Sequence, residues 1–174
     1  MTAAASGTAA AARRLDYESG VRRDDRLELR VWLRLLTCAN LIEGGVRRRL
    51  RKRFATTLPR FDLLAQLERA PQGLTMGELS RRLMVTGANV TGLIERMAGE
   101  GLVERTAAAS DRRVQRVRLT AAGRRRFEAM TPDHERWIGA MMAGLERKEL
   151  AALYALLARL KGSLEAAERP SHTR

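Results

Sequence analysis

The spacing of apolar residues predicts helices over most of the chain. From Arg26 to Glu43, Leu27, Val31, Leu35, Cys38 and Ile42 fall on one side of a helix, while Leu29, Trp32, Leu33, Leu36 and Asn40 fall on another. A helix with two such sides needs two partners. Further on, Thr75-Met76-Gly77-Glu78 fits a capping box, in which the threonine hydroxyl accepts from an amide of the first turn and the glutamate reaches back to the threonine amide. The helix that starts there carries Met76, Leu79 and Leu83 on one face, and Met84-Val85 ends it. Thr86 is the next N-cap. The helix after it buries Val90, Leu93, Ile94 and Met97 and closes with Gly101 in the C′ position.

The period then switches from helical to alternating. Leu102-Val103 and Val114 to Arg118 read as two short strands, with Val117 and Leu119 facing inward and Arg116 and Arg118 outward. Thr120 caps a further helix, and Thr131-Pro132 predicts that it kinks or restarts there, with Thr131 as a second N-cap. Leu145, Leu150, Leu153, Leu156, Leu157, Leu160 and Leu164 make the last helix too apolar to stand alone on a surface. The expected fold class is mainly α with a small β-hairpin.

Composition narrows the class. The 174 residues fit one domain, expected over 24–165, between a disordered tail of residues 1–23 and a polar tail of residues 166–174. The first tail is not a signal peptide by pattern, because Arg13-Arg14 follow the alanines instead of preceding an apolar run. With aromatic residues at 4%, leucine and alanine must fill the core. Lys+Arg minus Asp+Glu is 33 minus 20, or +13. This balance, with a pI of 11.4, is the footprint of a polyanion partner. A membrane surface is also polyanionic, but no apolar run approaches the ~20 residues of a spanning helix. The single cysteine cannot form an internal disulfide, and the cytoplasm is the expected location. No Gly-x-Ser-x-Gly, P-loop or Gly-x-Gly-x-x-Gly motif occurs, and His134 and His172 stand apart from any cluster at metal-ligand spacing. Neither an enzyme nor a metal site is expected.

Two short helices joined by a tight turn leave the polar side of the second free to touch something, and its chemistry suits DNA. Gly87, Ala88 and Gly92 are small enough for close approach to a major groove. Asn89 can pair with adenine N6 and N7, Thr91 can bond a base or meet a thymine methyl, and Arg96 can meet phosphate. In the hairpin tip, Asp111 and Arg113 are two apart and share a side of an extended segment. The carboxylate can orient that guanidinium as a probe of phosphate or the minor groove, while Arg112 remains free. The alternative is that all of these are ordinary solvated positions.

The run from Leu79 to Thr120, above all Asp111-x-Arg113 followed by Val117-x-Leu119-Thr120, resembles the winged helix-turn-helix of the MarR family of transcriptional regulators, over about residues 26–165. The resemblance implies a winged helix-turn-helix at about 58–120, with dimerisation helices at about 24–56 and 121–165. It makes Thr86 to Gly99 the recognition helix, with Thr86, Gly87, Ala88, Asn89, Thr91, Arg96, Arg112 and Arg113 as DNA contacts and Asp111 as the wing's orienting residue. Gly87 and Gly92 stand where many members have Pro and Arg, so the base-reading pattern departs from theirs. The resemblance also implies an intertwined homodimer, against a compact monomer that folds both ends onto itself.

Arg30 to Gly44, Thr57 to Asp62 and Leu74 to Ser80 are similar to members that sense hydroxycinnamoyl-CoA thioesters. Trp32, Leu36 and Asn40 recur at i, i+4 and i+8 as an apolar wall with one polar handle, and the basic run from Arg47 to Arg53 lies on the next segment. Trp32, Leu36, Asn40, Arg47, Arg51, Phe54 and Phe61 are therefore the candidate ligand residues, and p-coumaroyl-CoA or feruloyl-CoA the candidate effector. A plain core stripe beside a solvated basic face is the alternative. Cys38 lies within an apolar stripe, so buried packing is expected of it before redox sensing. The combined expectation is a homodimeric repressor of an aromatic-acid catabolic operon that binds a pseudo-palindromic operator in double-stranded DNA and is released by the thioester. A repressor answering to a free phenolic acid or an oxidant, a nucleoid-type DNA binder without effector and a helical adapter are the competing readings.

Overall fold

The computed structural model describes residues 27–84, 86–107 and 115–167. The chain divides into two compact units, the first ending at Glu135 and the second beginning at Arg136. The elements, in order, are α1 (Leu27–Phe54), α2 (Leu58–Glu68), β1 (Leu74–Thr75), α3 (Met76–Leu83), α4 (Gly87–Gly99), β2 (Val103–Ala107), β3 (Gln115–Leu119), α5 (Ala121–Met142) and α6 (Arg147–Ala167). The mainly helical class with a small hairpin is the one expected. Residues 1–26 (the whole first tail among them), Val85, the hairpin tip at 108–114 and residues 168–174 lie outside the described residues.

Local chemistry sets the element ends in the first unit. The capping box at α3 is complete, with the Glu78 amide donating to the Thr75 hydroxyl at 3.3 Å and the Thr75 amide donating to the Glu78 carboxylate at 2.7 Å. The Thr75 amide and hydroxyl, both donating to that carboxylate, hold the Glu78 carboxyl below the usual carboxylate range. Met84 ends α3 in the left-handed region at φ +53 and is 92% exposed. Gly101, at φ +69, closes α4 after Glu100. The Thr120 hydroxyl accepts from the Gly123 amide at 3.0 Å at the start of α5.

The core of this unit gathers one face of each element. Val46 and Leu50 of α1 are buried, as are Phe61, Leu63, Leu64 and Leu67 of α2, Leu79 of α3, and Val90, Leu93, Ile94 and Met97 of α4. Each such side chain stabilises the fold by roughly 1.5–3 kcal/mol. The sheet has the order β1-β3-β2, all antiparallel, with Leu74 opposite Val117 and Arg105 opposite Val117 on the other side. β1 was not expected. Gly73 allows it, at φ +76, because a Cβ there would lie 2.8 Å from the Val117 carbonyl oxygen. The guanidinium of Arg116 donates to the Gly73 carbonyl at 2.9 Å and closes the junction.

Three expectations need correction. Pro132 does not interrupt its helix, since α5 runs from Ala121 to Met142 with the proline inside and Thr131 is no N-cap. The Thr131 hydroxyl donates instead to the Phe127 carbonyl at 3.0 Å, and residues on both sides of the proline are pinned. Met130 is fully buried, Asp133 is 5% exposed and paired with Arg53, and His134 stacks on Phe61 at 4.5 Å. Such anchoring outweighs the ~3 kcal/mol cost of an interior proline. The basic run from Arg47 to Arg53 is not on a separate segment, because α1 is one helix of 28 residues. Finally, Cys38 is exposed rather than packed within the chain.

In the second unit, α6 has no buried residue. Leu153, Leu157, Leu160 and Leu164 recur at spacings of 4, 3 and 4 along it and are all exposed, which is one continuous apolar stripe. The helix continues to Ala167, two residues into the segment expected to be a tail. No helix among the described residues is long and apolar enough to cross a membrane.

Candidate nucleic-acid interface

α4 is held from behind and open in front. Val90, Leu93, Ile94 and Met97 are buried, while Thr86, Gly87, Ala88, Asn89 and Arg96 are exposed and Thr91 and Gly92 are half-buried. Ala88 and Gly92 lie at the middle of the outward face by helical period, with Asn89 and Arg96 on one flank and Thr91 on the other. A Cβ added at Gly87 would come only within 4.0 Å of the Ser80 hydroxyl, and one at Gly92 within 3.5 Å of the Arg96 guanidinium. Neither glycine is demanded by packing inside the chain, yet each costs about 0.5–1 kcal/mol in a helix relative to alanine. Their smallness serves an approach from outside.

Two details refine the expected contacts. The Thr91 hydroxyl donates to the Gly87 carbonyl at 3.0 Å, so this side chain presents its methyl and lone pairs outward in place of a free donor. Thr86 is the N-cap in backbone geometry, but its hydroxyl makes no capping bond. On the same helix Glu95 is the one acidic side chain before the C-cap, and Arg105 of β2 lies 3.9 Å from it. Asp111, Arg112 and Arg113 lie outside the described residues. The strands that lead to them are fixed, however, with Glu104 and Arg118 paired across the hairpin at 2.7 Å.

Sequence reasoning missed the ties that hold α4 to the rest of the unit. Arg60, in the first turn of α2, grips the Glu100 carboxylate at the end of α4 with both arms of its guanidinium, one at 2.8 Å. The bond raises the Arg60 pKa and holds that of Glu100 below its usual range. Forty residues separate the partners, so no local period could signal the pair.

The candidate ligand residues do not converge within the chain. Trp32, Leu36 and Asn40 lie in the N-terminal half of α1, with Trp32 57% exposed. Arg47 lies ~22 Å and Phe54 ~33 Å along the same helix axis from Trp32. Arg47 is paired with Glu43 at 2.9 Å, Arg51 is exposed, and Phe54 is half-buried under the Arg53 guanidinium. Phe61 is buried between His134 and Phe127, with the Phe127 ring 5.5 Å away. Burial of His134 pushes its imidazole pKa down, which favours the neutral ring in that stack.

The Asp62 carboxyl is pushed up to about 6 by burial first and by Glu43 second, with Arg47 opposing. A carboxyl whose folded pKa is raised contributes its stability below the unfolded value of 3.8, and that stability is lost as pH rises through about 6. Asp62→Asn should therefore be more stable than the parent above pH 6, by about 1 kcal/mol once solvent screening is allowed for. Urea melts at pH 4 and pH 7.5 check this. An equal effect at both pH values would show that Asp62 is ionised without cost.

The profile of the MarR family matches residues 56–114, which span α2, α3, α4 and β2. The chain is 35% identical over 111 residues to the transcriptional activatory protein BadR of Rhodopseudomonas palustris, covering 62% of this chain and 63% of that protein. It is 30% identical over 105 residues to the helix-turn-helix-type transcriptional regulator YdgJ of Bacillus subtilis, covering 60% and 63%. Both matches thus span under two thirds of the curated relatives' length. A solved MarR family transcriptional regulator from Silicibacter pomeroyi is 31% identical with a TM-score of 0.67, over 79% of this chain and 94% of that one. These relatives are transcriptional regulators. With its capped α3, its open-faced α4 and its three-stranded wing sheet, the chain belongs to the MarR family of winged-helix transcriptional regulators.

Proposed function

We propose that the protein is a homodimeric, DNA-binding transcriptional regulator, acting as a repressor of an aromatic-acid catabolic operon. The observation that carries the DNA-binding reading is the outward face of α4, small at its centre and polar at its flanks, on a helix anchored by four buried side chains. The net charge of +13 adds attraction to any phosphate backbone. The dimer reading rests on apolar surface that no other described residue covers. Leu27, Leu29, Val31, Trp32 and Leu41 are exposed on α1, and the leucine stripe of α6 is exposed throughout. A second copy supplies the cover, and two-fold symmetry then matches a pseudo-palindromic operator whose half-sites lie about one helical turn, ~34 Å, apart. An effector that changes the separation of the two α4 helices breaks that match.

For the effector we propose an aryl-CoA thioester such as p-coumaroyl-CoA or feruloyl-CoA. Support comes from the exposed Trp32 with Leu36 and Asn40 on its face, and from the cationic end of the same helix around Arg51. Because these lie far apart along one helix, only a long ligand with an aromatic end and a phosphate end suits both. Linking the two ends covalently makes the second contact intramolecular, so each fragment should be much weaker than the whole. Titrating DNA-bound protein with both thioesters, both free acids and CoA tests it. Release by the thioesters alone is expected, whereas release by a free acid at comparable concentration with the thioesters inert would overturn the CoA reading.

A further inference from the structure

Two helices of the first unit are tied through one carboxylate. Glu100 is the C-cap of α4, and its backbone amide still bonds the helix through the Arg96 carbonyl. Arg60 holds its side chain with a bidentate fork, and Arg126 of α5 also stabilises its negative charge. The Arg126 guanidinium in turn donates to the carbonyl of Phe54, the last residue of α1. The start of α2 and the end of α4 are thus joined through Arg60 and Glu100, and Arg126 separately joins the start of α5 to the end of α1. Local packing does not require this. Glu100 is half-exposed at 49%, and the C-terminal turn of α4 is already closed by Gly101, whose amide donates to the Ala98 carbonyl at 2.9 Å.

We infer that Glu100 and Arg60 are positioning residues for DNA recognition, acting as a clamp that fixes the tilt of α4 against the corner between α1 and α2. The inference rests on the DNA-binding reading above and adds the group that sets the pose of the reading helix. Bidentate arginine–carboxylate pairs specify orientation as well as energy, because both N–H vectors must meet both oxygens. A helix hinged at its C-terminal end moves most at its N-terminal end, where Thr86, Gly87 and Asn89 lie. Loss of the clamp should therefore cost sequence discrimination and spare backbone attraction. Charge alone gives the opposite sign for Glu100, since removing an acid from a DNA-binding chain tightens nonspecific binding.

The test uses the full chain and two duplexes, one enriched by the parent protein from a random-sequence pool and one a scramble of the same composition. Glu100→Gln and Arg60→Gln should each lower the ratio of the two affinities about tenfold, and the double variant should be no worse than either single. Binding of Glu100→Gln to the scramble should be unchanged or tighter. Thermal melts check folding, and Arg60→Lys, which keeps the charge and loses the fork, serves if Arg60→Gln does not fold. Ratios within twofold of the parent in all variants would overturn the inference, as would losses that multiply in the double variant. If the parent itself shows no preference between the duplexes, the DNA reading fails with it. A parent preference that the variants leave intact sinks the clamp alone.

Discussion

Gly123→Ala should destabilise the first unit by on the order of 3 kcal/mol, the range of severe overpacking. A Cβ there would lie 1.9 Å from the Leu102 carbonyl oxygen, 3.0 Å from its carbon and 3.3 Å from Leu119 Cδ2. The Leu102 backbone has nowhere to retreat. Its amide donates to the Met97 carbonyl at 2.9 Å, and its carbonyl accepts from the Thr120 amide at 3.2 Å. Relief of the clash must therefore pull α5 from the root of the wing and disturb the hinge between α4 and β2. Gly139→Ala in the same helix is the control, since a Cβ there meets nothing within 4 Å and should stabilise by about 0.5–1 kcal/mol. Urea denaturation of the two variants would show opposite shifts. Equal stability would mean that α5 does not seat against Leu102.

Leu157→Glu should break the proposed dimer. The side chain lies in the α6 stripe with Leu153, Leu160 and Leu164, none of it buried in the chain. Burial of a leucine contributes roughly 1.5–3 kcal/mol, and two-fold symmetry counts each substitution twice, so the dimer should loosen by roughly 3–6 kcal/mol, at least ~100-fold in dissociation constant. Sedimentation at micromolar concentration should show monomers, and DNA affinity should drop because one half-site cannot hold the protein alone. A Leu157→Glu protein that sediments as the parent does would refute α6 as an interface helix.

The parts of the fold that follow from local spacing were legible in the sequence. The capping box needs only Thr75 and Glu78 three residues apart, and the four anchors of α4 obey the helical period. The Gly101 closure and the inward Val117 are equally local. What escaped depends on distant partners. β1 has two residues and is a strand only because Leu74 and Thr75 pair with Val117 and Arg116. Pro132 reads as a breaker until Met130, Asp133 and His134 are seen pinned on either side of it. The candidate site divides along the same line. The exposed face of α4 was readable from its period, whereas the Arg60–Glu100 clamp spans 40 residues and leaves no periodic trace. Cys38 shows the converse, because an apolar stripe proves a partner without saying that the partner lies in the same chain.

Sequence-specific binding of DNA through α4 and the wing is the central claim, and the affinity ratio between the enriched and scrambled duplexes, followed across salt, tests it most directly. The parent should prefer the enriched duplex by on the order of 10³ or more, and affinity should fall with salt at a slope near ~0.9 for each of ~6–10 neutralised phosphates. Asn89→Ala and Arg113→Ala should each lose ~1–3 kcal/mol on the enriched duplex, with Arg113→Ala also lowering the salt slope by ~1 if its contact is to phosphate. A ratio near one with a flat salt dependence, unchanged in both variants, would contradict the assignment of this chain as a DNA-reading regulator.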